Sequence, residues 1–532
     1  MKKRLTFLIL MLLIASTGTM LRADFKNICM IKAKYIIPVT ADTIQDGALI
    51  IENGFIRDLG TELQEEPGME IISADTMYVY PGFIDGFTDI ALMPTDKKSS
   101  NKSREQKKTI LLPHRCAADF LDYSDGEIKI YRTLGITTVI TGYDNIVFPG
   151  TRTAVGLSGV ESGKIVLNTE TGMTITFTRE QSRYPSSLMA VIAYIRQTFT
   201  DADHHAEMKK LFSIHKRGFP RPEYNKALDS LLPVLNGIMP AVITADSENQ
   251  IKRAVALAEE IGLNIIISGA QEGWLVSDLL KQKKIPVILN LDFPDPDEVT
   301  GYSYNLPIEG YNKEKADSTI KKQILANAHA LEKEHIEFCF STRDLSQPAD
   351  MLKNIRKCIE NGLTSETALR SLTITPARMF GIDNMVGSLE RGKLANLVIT
   401  TKNIFDKEAK IKYVFVDGKK FEYETKKKKK PAVNVTGQWE GIITSPMGEF
   451  PFSFELKQHG SSLTGSIISE SGSGEISNGV VSGNSVEFTV SMQMGGQAME
   501  LSFSGTVAGS TMEGNVTVPG MGVADWSAEK PG

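Results

Sequence analysis

Three short apolar runs between residues 241 and 289 decide the fold class: Ala241-Val-Ile-Thr244, Asn264-Ile-Ile-Ile-Ser268 and Ile285-Pro-Val-Ile-Leu289. Each run has the length and the β-branched content of a buried strand. A helical pattern separates the first two runs and begins at the capping-box pair Ser247 and Gln250. Because strands that alternate with amphipathic helices pair in parallel through right-handed crossovers, these runs predict a parallel α/β sheet.

The same alternation extends in both directions and covers residues 81–380. Towards the C-terminus it continues with a helical segment at 318–334, a strand at 336–341 and two further helical patterns. A stretch of about 300 residues with this rhythm suits a (β/α)₈ barrel of the TIM type. The alternative is an open doubly wound sheet, but no glycine-rich phosphate loop follows a strand to favour it.

Both flanks of this stretch have the short alternating runs of β structure. Within residues 24–80, Ala48 to Gly60 predicts a hairpin around an Asn-Gly turn. Within residues 381–424, further strands are predicted around turns, for example at Lys412 to Lys419. The two flanks together predict a small composite β-sandwich built from both sides of the barrel.

The last part of the chain is predicted to be a separate domain. An unbroken lysine run, Lys426 to Lys430, predicts a solvated linker over residues 425–431, because like charges repel and extend the chain. Residues 432–532 contain about eight strand candidates separated by glycine turns, which predicts an antiparallel meander closed into a barrel. Such a barrel either holds a small ligand or is filled by its own side chains, and we favour the filled interior or a docking role.

The N-terminus has the pattern of an export signal. Basic residues at positions 2–4 precede the apolar run Leu5–Ala15, which is too short to span a bilayer comfortably. These features predict a signal peptide over residues 1–23 and a periplasmic mature protein. The alternative is an uncleaved anchor, because Leu21 is large for its place before the cleavage site.

Size and charge limit the remaining possibilities. The chain has 532 residues, and a single hydrophobic core stops growing at about 250–300 residues, so two or three domains are expected. Lysine and arginine number 59 against 64 aspartate and glutamate residues, which gives a net charge of −5. Nucleic-acid binding requires a clustered basic surface, so we expect no nucleic-acid partner.

Two motifs give the barrel a family resemblance. The segment Tyr80-Pro-Gly-Phe-Ile-Asp-Gly-Phe-Thr-Asp89 resembles the opening motif of the amidohydrolase superfamily, Pro-Gly-Phe-Ile-Asp-x-His-x-His. The segments Thr373 to Ile382 and Gly387 to Val398 resemble its closing motif. The resemblance covers residues 25–424 and is greatest to secreted imidazolonepropionase-like and dipeptidase-like members.

The resemblance implies a metal-dependent hydrolase of C–N bonds in small amides or dipeptides. In that superfamily two histidines at i and i+2 on the first strand reach one zinc or other divalent metal, since residues two apart share a strand face. Later strands supply further histidines and an aspartate. The metal lowers the pKa of a bound water, and the aspartate takes its proton.

This sequence departs from that pattern at nearly every ligand position. The first strand holds Phe87 and Asp89, the fifth Thr244, the sixth Ser268 or Gly269, and the eighth Arg343, or Asp344 after a slip of one residue. We therefore expect no metal and no other cofactor. An arginine side chain at the mouth of the barrel needs a counter-ion, and Asp89 is the expected partner of Arg343, followed by Asp85 and Asp344.

Two functions remain open from the sequence. The first is a non-catalytic binding or scaffold protein, whose barrel mouth takes a small amide, a peptide or an amino-acid derivative, or docks a partner. The second is an active hydrolase with a remodelled or single-metal site that uses Asp89 or Asp344. Fold alone does not decide between them. By analogy with the fold, we also expect the chain to associate with itself or with a catalytically intact relative.

Overall fold

The computed structural model describes residues 28–93, 111–123, 126–159, 166–180, 184–293, 320–345, 347–423, 431–445, 448–469, 472–494, 497–518 and 522–531. The predicted signal peptide and nearly all of the predicted lysine-rich linker lie outside these residues. The chain divides into two compact units, Met1–Tyr423 and Glu424–Gly532, and each is described by itself.

The first unit contains two sheets and their helices. Its strands are β1 (Ile28–Ile36), β2 (Ile44–Glu52), β3 (Phe55–Gly60), β4 (Glu70–Pro81), β5 (Phe83–Thr88), β6 (Ile136–Thr141), β7 (Gly150–Gly156), β8 (Val166–Ile175), β9 (Ala241–Ala245), β10 (Ile265–Gly269), β11 (Val287–Asn290), β12 (Phe338–Ser341), β13 (Leu397–Thr400), β14 (Ile411–Val416) and β15 (Lys419–Glu422). Its described helices are α1 (Gly126–Thr133), α2 (Leu188–Ile214), α3 (Lys226–Asp229), α4 (Leu232–Leu235), α5 (Glu248–Ile261), α6 (Ser277–Lys283), α7 (Asn327–Lys333), α8 (Met351–Glu360), α9 (Ser365–Leu372) and α10 (Ile374–Met379), with single 3₁₀ turns at Ala117–Phe120, Gly273–Leu275 and Pro348–Asp350.

Strands β5 to β12 form one eight-stranded sheet in chain order, which curls into a nearly closed barrel. Side chains join its two edge strands: Ser341 Oγ at the end of β12 donates to the carbonyl oxygen of Phe87 on β5 at 2.6 Å. The strands are buried on both faces, as a barrel inside a ring of helices requires. The predicted barrel architecture is therefore confirmed, and the doubly wound alternative is not what the chain adopts.

One strand departs from the predicted parallel pairing. β7 runs antiparallel to both β6 and β8, whereas β5–β6 and the pairs from β8 to β12 are parallel. The connections at 142–149 and 157–165 are too short for a helical crossover, which needs about a dozen residues or more. The chain therefore reverses direction twice, and the start of β7 comes to lie at the same barrel end as the carboxyl ends of its neighbours.

Strands from both flanks of the barrel pair into a single seven-stranded sheet, in the order β15-β14-β13-β4-β1-β2-β3. The joint is the antiparallel pairing of β13 with β4, where Leu397 lies opposite Pro81. Both flanks thus build one β module, and its strands form one continuous hydrogen-bonded sheet whose N-terminal and C-terminal strands share a single hydrophobic core. β4 leads directly into β5, so this sheet fixes where the first barrel strand begins.

The second unit is a closed antiparallel barrel of eight strands: β16 (Gly437–Ser445), β17 (Gly448–His459), β18 (Ser462–Ser469), β19 (Gly472–Ser482), β20 (Ser485–Met494), β21 (Gln497–Ala508), β22 (Thr511–Val518) and β23 (Gly522–Glu529). Its interior is filled by aromatic rings. Phe454 lies edge-to-face against Phe488, with ring centroids 5.2 Å apart, and against Trp526 at 5.8 Å. Both the eight-stranded meander and the filled interior agree with the sequence-based prediction.

Among the described helices, none combines the length and the apolar character needed to cross a membrane.

We predict that limited trypsin digestion separates the two units. Trypsin cleaves after lysine, and Lys426 to Lys430 offer adjacent sites between two units that have separate hydrophobic cores. Mass spectrometry and circular dichroism should detect a folded all-β fragment of about a hundred residues. A chain in which Lys426 to Lys430 are all replaced by glutamine is the matched control and should resist cleavage there. A single cooperative unfolding transition of the intact chain, with no early cleavage in the run, would contradict the prediction.

Candidate functional site

The carboxyl ends of the parallel barrel strands meet at one end of the barrel, where enzymes of this architecture place their active sites. Val242, Ile266, Ile288 and Cys339 pack together inside the barrel. Because residues two apart share a strand face, the inward positions continue towards that end through Thr244, Ser268, Asn290 and Arg343. We call this end, lined by the inward side chains of residues 87, 152, 246, 290 and 343, the barrel mouth.

The centre of the barrel mouth holds an aromatic ring and a buried guanidinium. Phe87, at the position of the expected first-strand ligand, is 1% exposed. Arg152, near the start of β7, is 0% exposed, and its Cζ lies 3.4 Å from the centroid of the Phe87 ring. At this distance the cation stacks on the ring face, which attracts it through the ring quadrupole.

Hydrogen bonds take the place of a counter-ion for Arg152. Its Nη2 donates to the carbonyl oxygens of Thr88 and Ile140, and its Nη1 donates to Thr174 Oγ1 at 3.4 Å. No carboxylate among the described residues lies within 4.0 Å of this guanidinium, and its Nε has no hydrogen-bond partner there. Burial lowers the pKa of Arg152 to about 9, so the group keeps its charge at neutral pH.

Sequence reasoning did not identify Arg152. The usable signal is the alternation in Gly150-Thr-Arg-Thr-Ala-Val155, which places position 152 on the same strand face as the buried Ala154. Space for its side chain comes from Gly142, where an added Cβ would lie 2.9 Å from Arg152 Cγ. The direction of β7 was the missing information, since only an antiparallel strand brings its beginning to the barrel mouth.

Arg343 is a second cation beside the same ring. Its Cζ lies 5.2 Å from the Phe87 ring centroid, and its side chain is 21% exposed. Its Nε lies 3.3 Å from Asp144 Oδ2, in the connection between β6 and β7, and 3.4 Å from Asp344 Oδ2. The prediction that Asp89 is the leading partner of Arg343 is wrong, and Asp85 does not pair with Arg343 either.

The reason lies in an irregularity of β5. The pairing of β5 with β6 shifts register between Asp85 and Thr88, so a simple two-residue alternation does not carry through this segment. Asp89, just beyond the strand, is exposed, whereas Asp144 lies within reach of the arginine. Asp344, the next alternative, does contact Arg343 and is itself exposed.

Asp85 fastens the first strand to the last. It is 3% exposed and accepts hydrogen bonds from the backbone N–H of Phe87 at 3.1 Å and of Thr342 at 3.3 Å, and from the Thr342 hydroxyl. Burial raises the pKa of Asp85 to about 6, although these hydrogen bonds and Arg152 act in the opposite direction. Tyr131 in turn contacts the Thr342 hydroxyl at 2.8 Å. This arrangement is a structural closure of the barrel rather than an open catalytic group.

The positions on the fifth and sixth strands where the superfamily has histidine ligands carry threonine, serine and glycine. Thr244 is half-buried, and Ser268 is 0% exposed with no partner for its Oγ among the described residues. Gly269 has φ +109°, and a Cβ there would lie 2.0 Å from Asp246 Oδ1, so only glycine fits beneath that carboxylate.

Two further mouth residues were missed by the sequence analysis. Asp246 directly follows β9, and its Oδ1 is buried without a hydrogen-bond partner in the described part of the chain. Burial raises the pKa of Asp246, while Arg343 lowers it and Asp344 raises it. Asn290 ends β11, and its Nδ2 donates to Asp344 Oδ2 at 3.1 Å. The usable signal for Asp246 was its place two residues beyond Thr244, on the same inward line.

These residues do not fit a divalent metal. Across the described ranges, no group of three or more histidine, cysteine, aspartate or glutamate residues is arranged to hold an ion. Two guanidinium groups border the place where the superfamily's first-strand ligands would converge, and both repel a dication. A phenyl ring in place of a ligand offers no lone pair and excludes a hydrated ion.

Comparison with curated proteins gives relatives of one kind. A family model described as the amidohydrolase family matches residues 233–421. An adenine deaminase from Listeria monocytogenes is 23% identical over 378 residues, which is 70% of this chain and 54% of that protein. An adenine deaminase from Desulforamulus reducens is 30% identical over 114 residues, 21% of this chain and 18% of that protein. This chain thus matches about half the length of the first relative, and less of the second.

Comparison with solved structures supports the fold. An amidohydrolase from Thermotoga maritima superposes with a TM-score of 0.62 at 22% sequence identity, over 74% of this chain and 100% of that chain. At this identity the likeness shows a shared architecture, not a shared activity. The family model on residues 233–421, the relatives and the shared architecture together support membership of the amidohydrolase superfamily.

Proposed function

We propose that this chain is a non-catalytic member of its superfamily, in which a network of arginines and carboxylates stands where a metal centre would lie and the barrel mouth binds a small amide-like or peptide-like ligand. The observation that carries the proposal is the fully buried Arg152 guanidinium stacked 3.4 Å above the Phe87 ring. A permanent cation at this position repels a divalent metal ion.

Electrostatics support the absence of a metal. A guanidinium and a dication a few ångströms apart repel by several kcal/mol, even at an effective dielectric constant of about 20. Arg152 cannot relieve this repulsion by losing its proton, because a guanidinium keeps its charge at neutral pH. Nor can it act as a general base or a nucleophile. The chemistry of the superfamily therefore lacks both its metal and a replacement group at this position.

A second candidate is an active hydrolase with a remodelled site. It is favoured by Asp246, whose carboxylate oxygen is buried at the mouth without a partner in the described residues and whose pKa burial raises. A carboxylate with these properties is suited to general base catalysis. Asp344, an earlier candidate for this role, instead contacts Arg343 and Asn290.

Two further proposals rest on the sequence and on fold analogy. The basic and apolar N-terminal pattern supports export to the periplasm. A barrel that keeps its architecture without the chemistry keeps its surfaces, which supports association with itself or with a catalytically intact relative. We propose no nucleic-acid partner.

The first prediction tests metal binding and turnover together. After exposure to zinc and dialysis against a mild chelator, the purified chain should contain far less than one zinc per chain, because its mouth lacks histidine ligands and holds two guanidiniums. It should hydrolyse neither adenine nor members of an amide and dipeptide panel above background. A known zinc hydrolase processed in parallel is the control. Stoichiometric zinc would contradict the proposal, and metal-free turnover lost in Asp246→Asn would establish the second candidate.

The second prediction concerns the ion pair of Arg343. A thermodynamic cycle on Arg343→Met and Asp144→Asn should show a coupling of about 1 kcal/mol, since the two side chains are partly exposed and 3.3 Å apart. The free energy of unfolding in urea measures it. The matched cycle on Arg343→Met and Asp89→Asn should be additive within error. Coupling to Asp89 and none to Asp144 would contradict the observed pairing.

The third prediction concerns Asp85 and pH. Its pKa rises from 3.8 to about 6 on folding, so between these values the folded chain holds a proton that the unfolded chain has lost. The wild type should therefore lose stability relative to Asp85→Asn as pH rises from about 4 to about 6, by a few kcal/mol in total. Urea unfolding at several pH values measures this difference.

Thr342→Val provides the control for that experiment. The Thr342 hydroxyl donates to Asp85 and holds the pKa of that carboxyl down. Its removal should therefore raise the pKa of Asp85 further, so the loss of stability should extend to a higher pH than in the wild type. A stability difference between the wild type and Asp85→Asn that does not change with pH would show that Asp85 titrates normally.

A further inference from the structure

We infer that the barrel mouth contains a subsite for a primary ammonium group, formed by Asp246, Ser268 and Asn290. The inference rests on the proposed ligand-binding function and names the charged part of the ligand. Its observation is a set of three buried side-chain oxygens without hydrogen-bond partners among the described residues: Asp246 Oδ1, Ser268 Oγ and Asn290 Oδ1.

The strand register brings these side chains together. β9, β10 and β11 are consecutive parallel strands, and Gly269 on β10 lies opposite Ala245 on one side and Leu289 on the other. Asp246 and Asn290 are each the next residue after those two partners. Ser268 and Asn290 lie two residues beyond Ile266 and Ile288, which pack inside the barrel, so both side chains continue the inward face.

The three oxygens are buried deeply enough for missing partners to matter. Ser268 is 0% exposed and Asn290 is 1% exposed. Buried polar atoms in folded proteins are almost always hydrogen-bonded, so an unpaired group calls for a bound ion, water or ligand. Asp246 Oδ1 lies directly over Gly269, where a Cβ would lie only 2.0 Å away. The glycine thus leaves room for the Asp246 oxygen itself, which has no hydrogen-bond donor among the described residues.

The orientation of Asn290 selects a ligand that donates hydrogen bonds. Its Nδ2 is engaged by Asp344 Oδ2 at 3.1 Å, which leaves the amide oxygen as the unpaired atom. Together, the Asn290 amide oxygen, the Asp246 carboxylate and the Ser268 hydroxyl give the subsite three hydrogen-bond acceptors. A primary ammonium carries three donors and no acceptor, which matches this set.

The charges around the subsite also favour a cationic ligand. Asp144 and Asp344 lie at ion-pair distance from Arg343, whereas Asp246 has no cationic side chain within 4.0 Å among the described residues. An ammonium would supply the missing positive charge and form a charge-assisted hydrogen bond with the carboxylate. A divalent metal fits poorly, because one carboxylate, one amide and one hydroxyl are too few for its usual six or more oxygen ligands.

The test uses the full chain at low ionic strength and n-butylammonium chloride as the probe, with binding measured by isothermal titration and ligand-observed NMR. Saturable binding of n-butylammonium, with none of butyrate or 1-butanol, is the expected result. Asp246→Asn should weaken binding roughly tenfold or more, because it removes the only charged acceptor of the subsite. Asp58→Asn, the same chemical change on β3 of the seven-stranded sheet, should leave the affinity unchanged.

Ser268→Ala is a second test variant, which keeps the inference testable if Asp246→Asn does not fold. It removes one hydroxyl from a buried position, should keep the fold, and should weaken n-butylammonium binding several-fold. Equal binding of 1-butanol would show an apolar pocket and overturn the inference. Displacement by potassium chloride at equal concentration would show a simple monovalent-ion site, and no binding of any probe would show an ordinary hydrated crevice. These results leave the zinc and turnover measurements untouched, so the two proposals fail separately.

Discussion

The arrangement of the barrel mouth depends on one buried cation, the Arg152 guanidinium. A charge without a counter-ion in the protein interior must be compensated by polar groups, or it costs several kcal/mol. Here the compensation comes from the carbonyl oxygens of Thr88 and Ile140, the hydroxyl of Thr174 and the face of Phe87. These groups belong to β5, β6 and β8, so one side chain on β7 connects its two neighbouring strands, β6 and β8, with β5 one strand further along the sheet.

This requirement links the site to the strand topology. If β7 ran parallel to its neighbours, a residue near its start would lie at the opposite end of the barrel. The short connections around β7 force the reversal that places Arg152 at the mouth, and Gly142 leaves space for its stem. The carbonyl oxygens that it engages lie near the ends of β5 and β6, and the Thr88 oxygen also accepts from the backbone N–H of Gly142 at 3.0 Å. Fold and site therefore constrain each other at this one residue.

The sequence predicts those parts of the molecule that depend on local pattern. Strands β9 to β12 follow from apolar runs and caps, and the eight-stranded C-terminal barrel follows from regular turns. By the two-residue alternation from the buried interior, Thr244 and Ser268 continue the inward faces of β9 and β10, and Arg343 lies just beyond β12. Arg152 was missed because strand direction depends on the lengths of two connections. Asp144 was missed as the partner of Arg343 because it lies in a loop, and because the irregular pairing of β5 places Asp89 in solvent.

In the proposed function an arginine stands where a metal would lie, and the two stabilise a barrel mouth in different ways. A metal centre holds several strands together only while the ion is bound, and its ligands repel or collapse when the ion leaves. A guanidinium is attached covalently, holds its charge over the whole physiological pH range, and spreads its donors in a plane that suits carbonyl oxygens. It cannot, however, lower the pKa of a water molecule or polarise a carbonyl group as a dication does. Under the proposed function, a mouth built around Arg152 keeps the cohesion that a metal would provide without its reactivity, and recognition of a ligand is the property that remains.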